Sequence, residues 1–214
     1  MIKKVTSPFD IAALTEPKYA SLKELLDVME HMQDDPLAQA GTSMVISRGN
    51  PKARLLIIGE APGSEENKKG KPFVGSAGKL LDNILQSVGF DPEADVFITN
   101  SVFRMPPGEA GKAFRKPTLA EIEYYRPYVF AIIRLIDPLI ILLTGNVACQ
   151  SVLGQTGITT LRGKWTRLQD HWVMPIYHPS YLLRNPSGGP GSPKAQMQAD
   201  IRKVRKKYTE LLGK

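Results

Sequence analysis

The sequence predicts an α/β protein of the doubly wound class, with helices on both faces of a mainly parallel sheet. Two apolar runs without alternation, at residues 55–58 and 139–143, have the character of strands buried on both faces. Capped amphipathic segments flank them, and strand-like and helix-like stretches alternate along the whole chain. With no internal repeat and no sign of a second domain, residues 1–214 are expected to form one domain.

Residues 1–20 carry two prolines and no clear period, and read as an irregular arm. Ser21 and Glu24 have capping-box spacing and precede Leu22, Leu25, Leu26 and Met29 on one helical face. They predict a helix to about Met32, stopped by Pro36. A short strand is expected at residues 43–47. The run at 55–58 breaks at Gly59 into a polar turn containing Glu60, Ala61, Pro62 and Gly63. A second glycine cluster, Gly70, Gly75 and Gly78, leads into a helix marked by Leu80, Leu81, Ile84, Leu85 and Val88.

Residues 95–100 (DVFITN) read as the next strand, followed by the double proline Pro106 and Pro107 and a loop at 108–116. Thr118 and Glu121 repeat the capping-box spacing and open a helix to about Ile136, with Pro127 as a candidate kink. After the strand at 139–143 a short helix is expected at 146–153, then a basic turn region at 157–164. Short strands at 166–168 and 172–177 are joined by a turn at Gln169 and Asp170. A loop rich in glycine and proline at 185–193 precedes a basic helix at 194–212.

A hydrophobic fraction of 42% and a charged fraction of 23% suit a soluble globular protein. The net charge of +7 points to a polyanionic partner. Candidate cations for it are Lys68, Lys69 and Lys71, then Lys112, Arg115 and Lys116, then Arg162, Lys164 and Arg184. The basic run from Arg202 to Lys207 reads as a solvated helix face. A single cysteine, Cys149, excludes an internal disulfide and reads as a small buried hydrophobe. With no signal-like amino terminus and no eighteen-residue apolar run, the expectation is an intracellular protein, cytoplasmic or at DNA.

Three apolar runs end in a polar residue capable of specific bonds: Glu60 after LLII, Asn100 after VFIT, and His178 after VMPIY. In a parallel sheet such ends gather on one edge, where ligands bind. No Gly-x-Ser-x-Gly elbow is present, and the GEAPG turn lacks the lysine of a phosphate-binding loop. Gly59, Gly63 and Gly70 are wrongly spaced for a dinucleotide fingerprint, and no histidine or carboxylate spacing suggests zinc. His31 and His171 read as surface residues.

The segments GEAPGSEEN, GKPFVGSAG, ITN followed by a double proline, and HPSYLLR, in this order and spacing, resemble the uracil-DNA glycosylase superfamily, family 4 type. The likeness runs from about Leu22 to the final helix. It implies a three-layer α/β/α sandwich around a central, mainly parallel sheet. It also implies removal of uracil from single- or double-stranded DNA by a monomer. Typical family 4 members hold a four-iron, four-sulfur cluster on four cysteines. Here Met32, Asp35, Arg104 and Tyr125 fall at those positions, so no cofactor or metal is expected. The 108–116 loop resembles the insert of a branch that links covalently to DNA, yet it lacks a histidine nucleophile and no covalent trapping is expected.

By the same resemblance, Glu60 matches the residue that positions or activates water, and His178 the one that stabilises charge on the departing base. Phe73 matches the ring that stacks on uracil, and Asn100 the amide that bonds to its edge. Gly59 and Ala61 are expected beside the base. Ser64, Lys164, Ser180, Tyr181, Leu182 and Arg184 are expected to contact DNA, with a loop beyond His178 gripping phosphates and pushing a side chain into the emptied stack. Two alternatives stand beside this: a non-catalytic DNA-binding or uracil-recognising protein, and a glycosylase for another modified base.

Overall fold

The computed structural model describes Phe9, Leu14 and residues 18–108 and 114–213. Most of the arm expected at 1–20, and residues 109–113 of the expected 108–116 loop, lie outside the described residues. In chain order the first elements are α1 (Leu22–Glu30), β1 (Ser47–Gly49), β2 (Leu55–Gly59), α2 (Ser64–Lys69), α3 (Ser76–Gln86) and β3 (Val96–Asn100). There follow α4 (Leu119–Ile136), β4 (Ile140–Thr144), α5 (Gly145–Leu153), α6 (Ile158–Leu161), β5 (Thr166–Leu168), β6 (His171–Ile176), α7 (Pro179–Arg184) and α8 (Pro193–Leu212).

The strands form one sheet in the order β1-β3-β2-β4-β6-β5. The four inner strands are parallel, and a three-residue antiparallel strand closes each edge. Because successive side chains alternate faces, each apolar run supplies both layers of core. Leu56, Ile58, Phe97, Ile141, Leu143 and Val173 pack with residues of α1, α4 and α5. Leu55, Ile57, Ile98, Ile140, Leu142, Met174 and Ile176 pack with residues of α3 and α8. The result is the expected α/β/α sandwich.

The second capping box forms as read, with Thr118 and Glu121 capping each other's backbone at the start of α4; at α1 Ser21 accepts from the Glu24 N–H, but the Glu24 carboxylate accepts from the Ala20 N–H instead of that of Ser21. The α4 helix runs through Pro127 without a break. Cys149 is fully buried, which pushes its thiol up to about 12.

Four readings need correction. The first strand lies at Ser47–Gly49 rather than 43–47, because the Val45 N–H is given to the Phe103 carbonyl beyond the end of β3, at 2.7 Å. The basic turn region at 157–164 contains a helix, α6, and an unanticipated helix, α2, follows the turn at 59–63; both are short and without a buried residue. The stretch after His178 is a helix, α7, opened by Pro179 in its first turn. His171 is buried at 8% exposure, its Nδ1 2.7 Å from the Pro138 carbonyl, so it is no surface residue.

Met32, Asp35, Arg104 and Tyr125 meet in one buried network. The Arg104 guanidinium donates to Asp35 Oδ2 (2.9 Å) and to the carbonyls of Thr42 (2.5 Å) and Met32 (3.0 Å). Tyr125 donates its hydroxyl proton to Asp35 Oδ1 at 2.5 Å. Residues far apart in sequence are thereby tied together beside the end of β3.

Candidate active site

The carboxyl ends of β2, β3, β4 and β6 open into a cavity of about 570 Å³. Its walls include Glu60, Ala61, Phe73, Asn100, His178, Ser180, Tyr181 and Arg184. Eight of the twelve residues singled out in the sequence thus share one pocket. Gly59 lies behind it, paired in register with Asn100. Ser64, Lys164 and Leu182 do not line it.

Leu182 requires a correction. It is 3% exposed and packs in the core below α3 and α8, whereas Leu183 is 47% exposed. A six-residue helix turns consecutive side chains to different sides, so the exposed leucine of α7 is Leu183. Several candidate cations are also engaged internally. Arg162 donates to buried Asp200, Arg115 pairs with Glu121, and Lys68 and Lys69 lie within 4 Å of Glu65. Lys116 and Arg184 face the pocket.

Each side chain is placed by its strand end. Glu60 follows the last residue of β2, and its carbonyl accepts from the Val102 N–H at 3.1 Å. Burial raises the Glu60 carboxyl above its usual 4.5, and the charges of Lys116 and Arg184 partly offset this. Asn100 ends β3 at 2% exposure, a position that aims an amide able to donate and accept at the pocket. His178 caps α7: its Nδ1 accepts from the Ser180 N–H at 3.2 Å and lies 2.8 Å from the Ser180 hydroxyl. Burial, and then Arg184, push His178 down to about 4. At neutral pH the ring is uncharged, and with Nδ1 accepting, its proton sits on Nε2.

Phe73 adopts a left-handed backbone (φ 54°), unusual for a bulky residue, and its ring stands 5.8 Å from that of His178. Two glycines make room for it. A Cβ at Gly78 would lie within 2 Å of the Phe73 carbonyl oxygen, and one at Gly59 2.5 Å from the ring. Glu66 ties the turns together, accepting from the N–H groups of Gly63 (3.2 Å), Val74 (3.0 Å) and Gly75 (2.7 Å). Sequence reasoning missed Glu66, Phe114, Asn146 and Tyr177, which also line the pocket. Only Glu66 left a trace, as the third residue of a helix opened by a glycine. The arrangement joins a carboxylate, a neutral imidazole donor, an amide and an aromatic face around a space the size of a small ligand.

The positions that would carry a cluster do not fit one. Met32, Asp35, Arg104 and Tyr125 bond to one another or to backbone, and Cys149 is the chain's single cysteine. Among the described residues no group of three or more histidine, cysteine, aspartate or glutamate side chains could hold a metal ion. Nor is any helix among them long and apolar enough to cross a membrane.

Comparison with known proteins supplies a family. Residues 46–205 match the family described as the uracil DNA glycosylase superfamily. The chain is 34% identical over 204 residues to a type-4 uracil-DNA glycosylase of Archaeoglobus fulgidus, covering 91% of this chain and 94% of that protein. It is 39% identical over 157 residues to the type-4 enzyme of Thermotoga maritima, covering 71% and 78%. A DNA polymerase of Bacillus phage SP01 shares 37% identity over 152 residues, which is 71% of this chain and 16% of the polymerase.

Proposed function

Because the chain belongs to the uracil DNA glycosylase superfamily, we propose that it hydrolyses the N-glycosidic bond of uracil in DNA and leaves an abasic site. The observation that carries this reading is the convergence of Glu60, Phe73, Asn100 and His178 on one pocket from separate parts of the chain. Uracil must leave the stack to reach such a site. Phe73 then stacks on the base, and Asn100 donates to O4 while accepting from N3–H. As the bond breaks, negative charge gathers on the pyrimidine and positive character on the sugar. The neutral His178 ring donates from Nε2 to O2 and stabilises the departing anion. Glu60, as the carboxylate, opposes the sugar's charge and orients the attacking water.

Around the mouth, Arg184 and Lys116 meet phosphates, together with Ser180 and Tyr181. Leu183 fills the space the base leaves. Ser64 and Lys164 contact the backbone further out. The chemistry needs no metal or cofactor, and the enzyme works as a monomer in the cell's DNA repair. The test is incubation with an oligonucleotide carrying one uracil, followed by alkaline cleavage at abasic sites. Strand scission at the uracil supports the reading. Binding without scission overturns it in favour of a uracil-recognising protein, and scission only at another modified base overturns the choice of uracil.

A further inference from the structure

Phe73 holds a left-handed backbone in a loop between two short helices, and something must keep it there. Its carbonyl is bonded from an edge strand. Arg48, in β1, is buried, its side chain 6% exposed. Its Nε donates to the Pro72 carbonyl at 3.0 Å, and one terminal nitrogen donates to the Phe73 carbonyl at 3.4 Å. The same fork is held from behind by two carboxylates, Asp82 of α3 at 2.5 Å and Glu93 at 2.6 Å. No other type of side chain presents so many donors in one rigid plane.

We propose that Arg48 is a positioning residue for base recognition, fixing the Pro72–Phe73 backbone so that the Phe73 ring forms one wall of the pocket. This rests on the uracil reading above. The geometry favours the assignment over simple sheet packing. Of the four hydrogen bonds the Arg48 side chain makes among the described residues, two end on the carbonyls flanking the ring's Cα, and none ends on the strand it pairs with. The Phe73 carbonyl also sits where a Cβ on Gly78 would collide with it, so its place is fixed from both sides. A loop carbonyl freed from Arg48 lets the ring leave the face it shares with His178.

The test is a double-mutant cycle between Arg48→Lys and Phe73→Ala. Lysine keeps the charge beside Asp82 and Glu93 but cannot reach both carbonyls. Single-turnover excision and inhibition by free uracil are read alongside urea denaturation. Expected is a loss of about tenfold in excision, with weaker inhibition, in Arg48→Lys alone, and no further loss of either when it is added to Phe73→Ala. Equal losses in both backgrounds, following the change in stability, would show that Arg48 only supports the fold and would overturn the proposal.

Should wild type show no excision, the uracil reading fails by itself, and hydrogen exchange still decides the role of Arg48. Faster exchange of the Phe73, Val74 and Gly75 amides in Arg48→Lys, with β2 and β4 unchanged, supports it; unchanged exchange there overturns it. Arg48→Met serves the same cycle if the lysine variant folds poorly, and the same two outcomes decide.

Discussion

Replacing Gly59 by alanine tests the pocket without replacing any side chain proposed to act on the substrate. The Gly59 backbone is not left-handed, so alanine is conformationally allowed there. Its Cβ, however, would lie 2.3 Å from Asn100 Oδ1, 2.5 Å from Phe73 Cε2 and 2.6 Å from Phe73 Cζ. Ordinary contact begins at 3.4 Å, so the amide and the ring must each retreat by about 1 Å. Neither can do so freely. Asn100 ends a central strand at 2% exposure, and the Phe73 backbone is wedged against Gly78. Overpacking of this kind costs about 1–3 kcal/mol of stability. A displacement of about 1 Å in a positioning group costs about a hundredfold in rate. Gly59→Ala is therefore expected to fold, to melt somewhat earlier, and to excise uracil about a hundred times more slowly in single turnover. Excision within about threefold of wild type in a folded variant would refute the claim that Asn100 and Phe73 set the base's position.

Four other substitutions address different links. His178→Ala and Glu60→Gln should each slow excision about a hundredfold or more; a 5-fluorouracil substrate, whose base departs more easily, should rescue the histidine variant more, and equal rescue would sink the division of roles. Lys116→Gln removes a charge that lowers the Glu60 carboxyl. The carboxyl then rises further, and the acid limb of kcat/KM should move to higher pH; an unmoved or lowered limb would show that Glu60 does not govern it. Arg104→Met leaves Asp35 buried with Tyr125 as its remaining side-chain partner. Urea denaturation should show a loss of about 3–5 kcal/mol, and a loss below about 1 kcal/mol would mean that the network adds little.

The parts of this molecule written in apolar runs were legible. The runs at 55–58, 96–99 and 140–143 are buried on both faces, so their chemistry alone marks them as inner strands, and the polar residues that follow the first two, Glu60 and Asn100, mark the pocket. What escaped was decided by partners rather than by local pattern. Ser47–Gly49 is a strand only because β3 lies beside it; the more apolar Val45 and Ile46 drew the expectation upstream. The α2 helix has no apolar stripe to announce it and is fixed through Glu66. Leu182 and Leu183 are chemically identical, and only the direction of α7 buries one and exposes the other. Arg48 carried no signal at all, since an arginine in a short edge segment reads as surface until its four acceptors are in place.

The pocket's dependence on distant strand ends bears on the order in which the protein comes into being. Glu60 follows β2 and Asn100 ends β3, but His178 follows β6, the last strand to be synthesised, which takes its place through parallel pairing with β4. Such pairing cannot form as a local hairpin and awaits the whole intervening chain. A nascent chain lacking β6 can hold base-contacting groups but no His178 wall, and it leaves β4 with an open edge. Completion of the sheet and completion of the site are one event. A chain interrupted before residue 171 would be an unpaired, aggregation-prone intermediate rather than a weak enzyme.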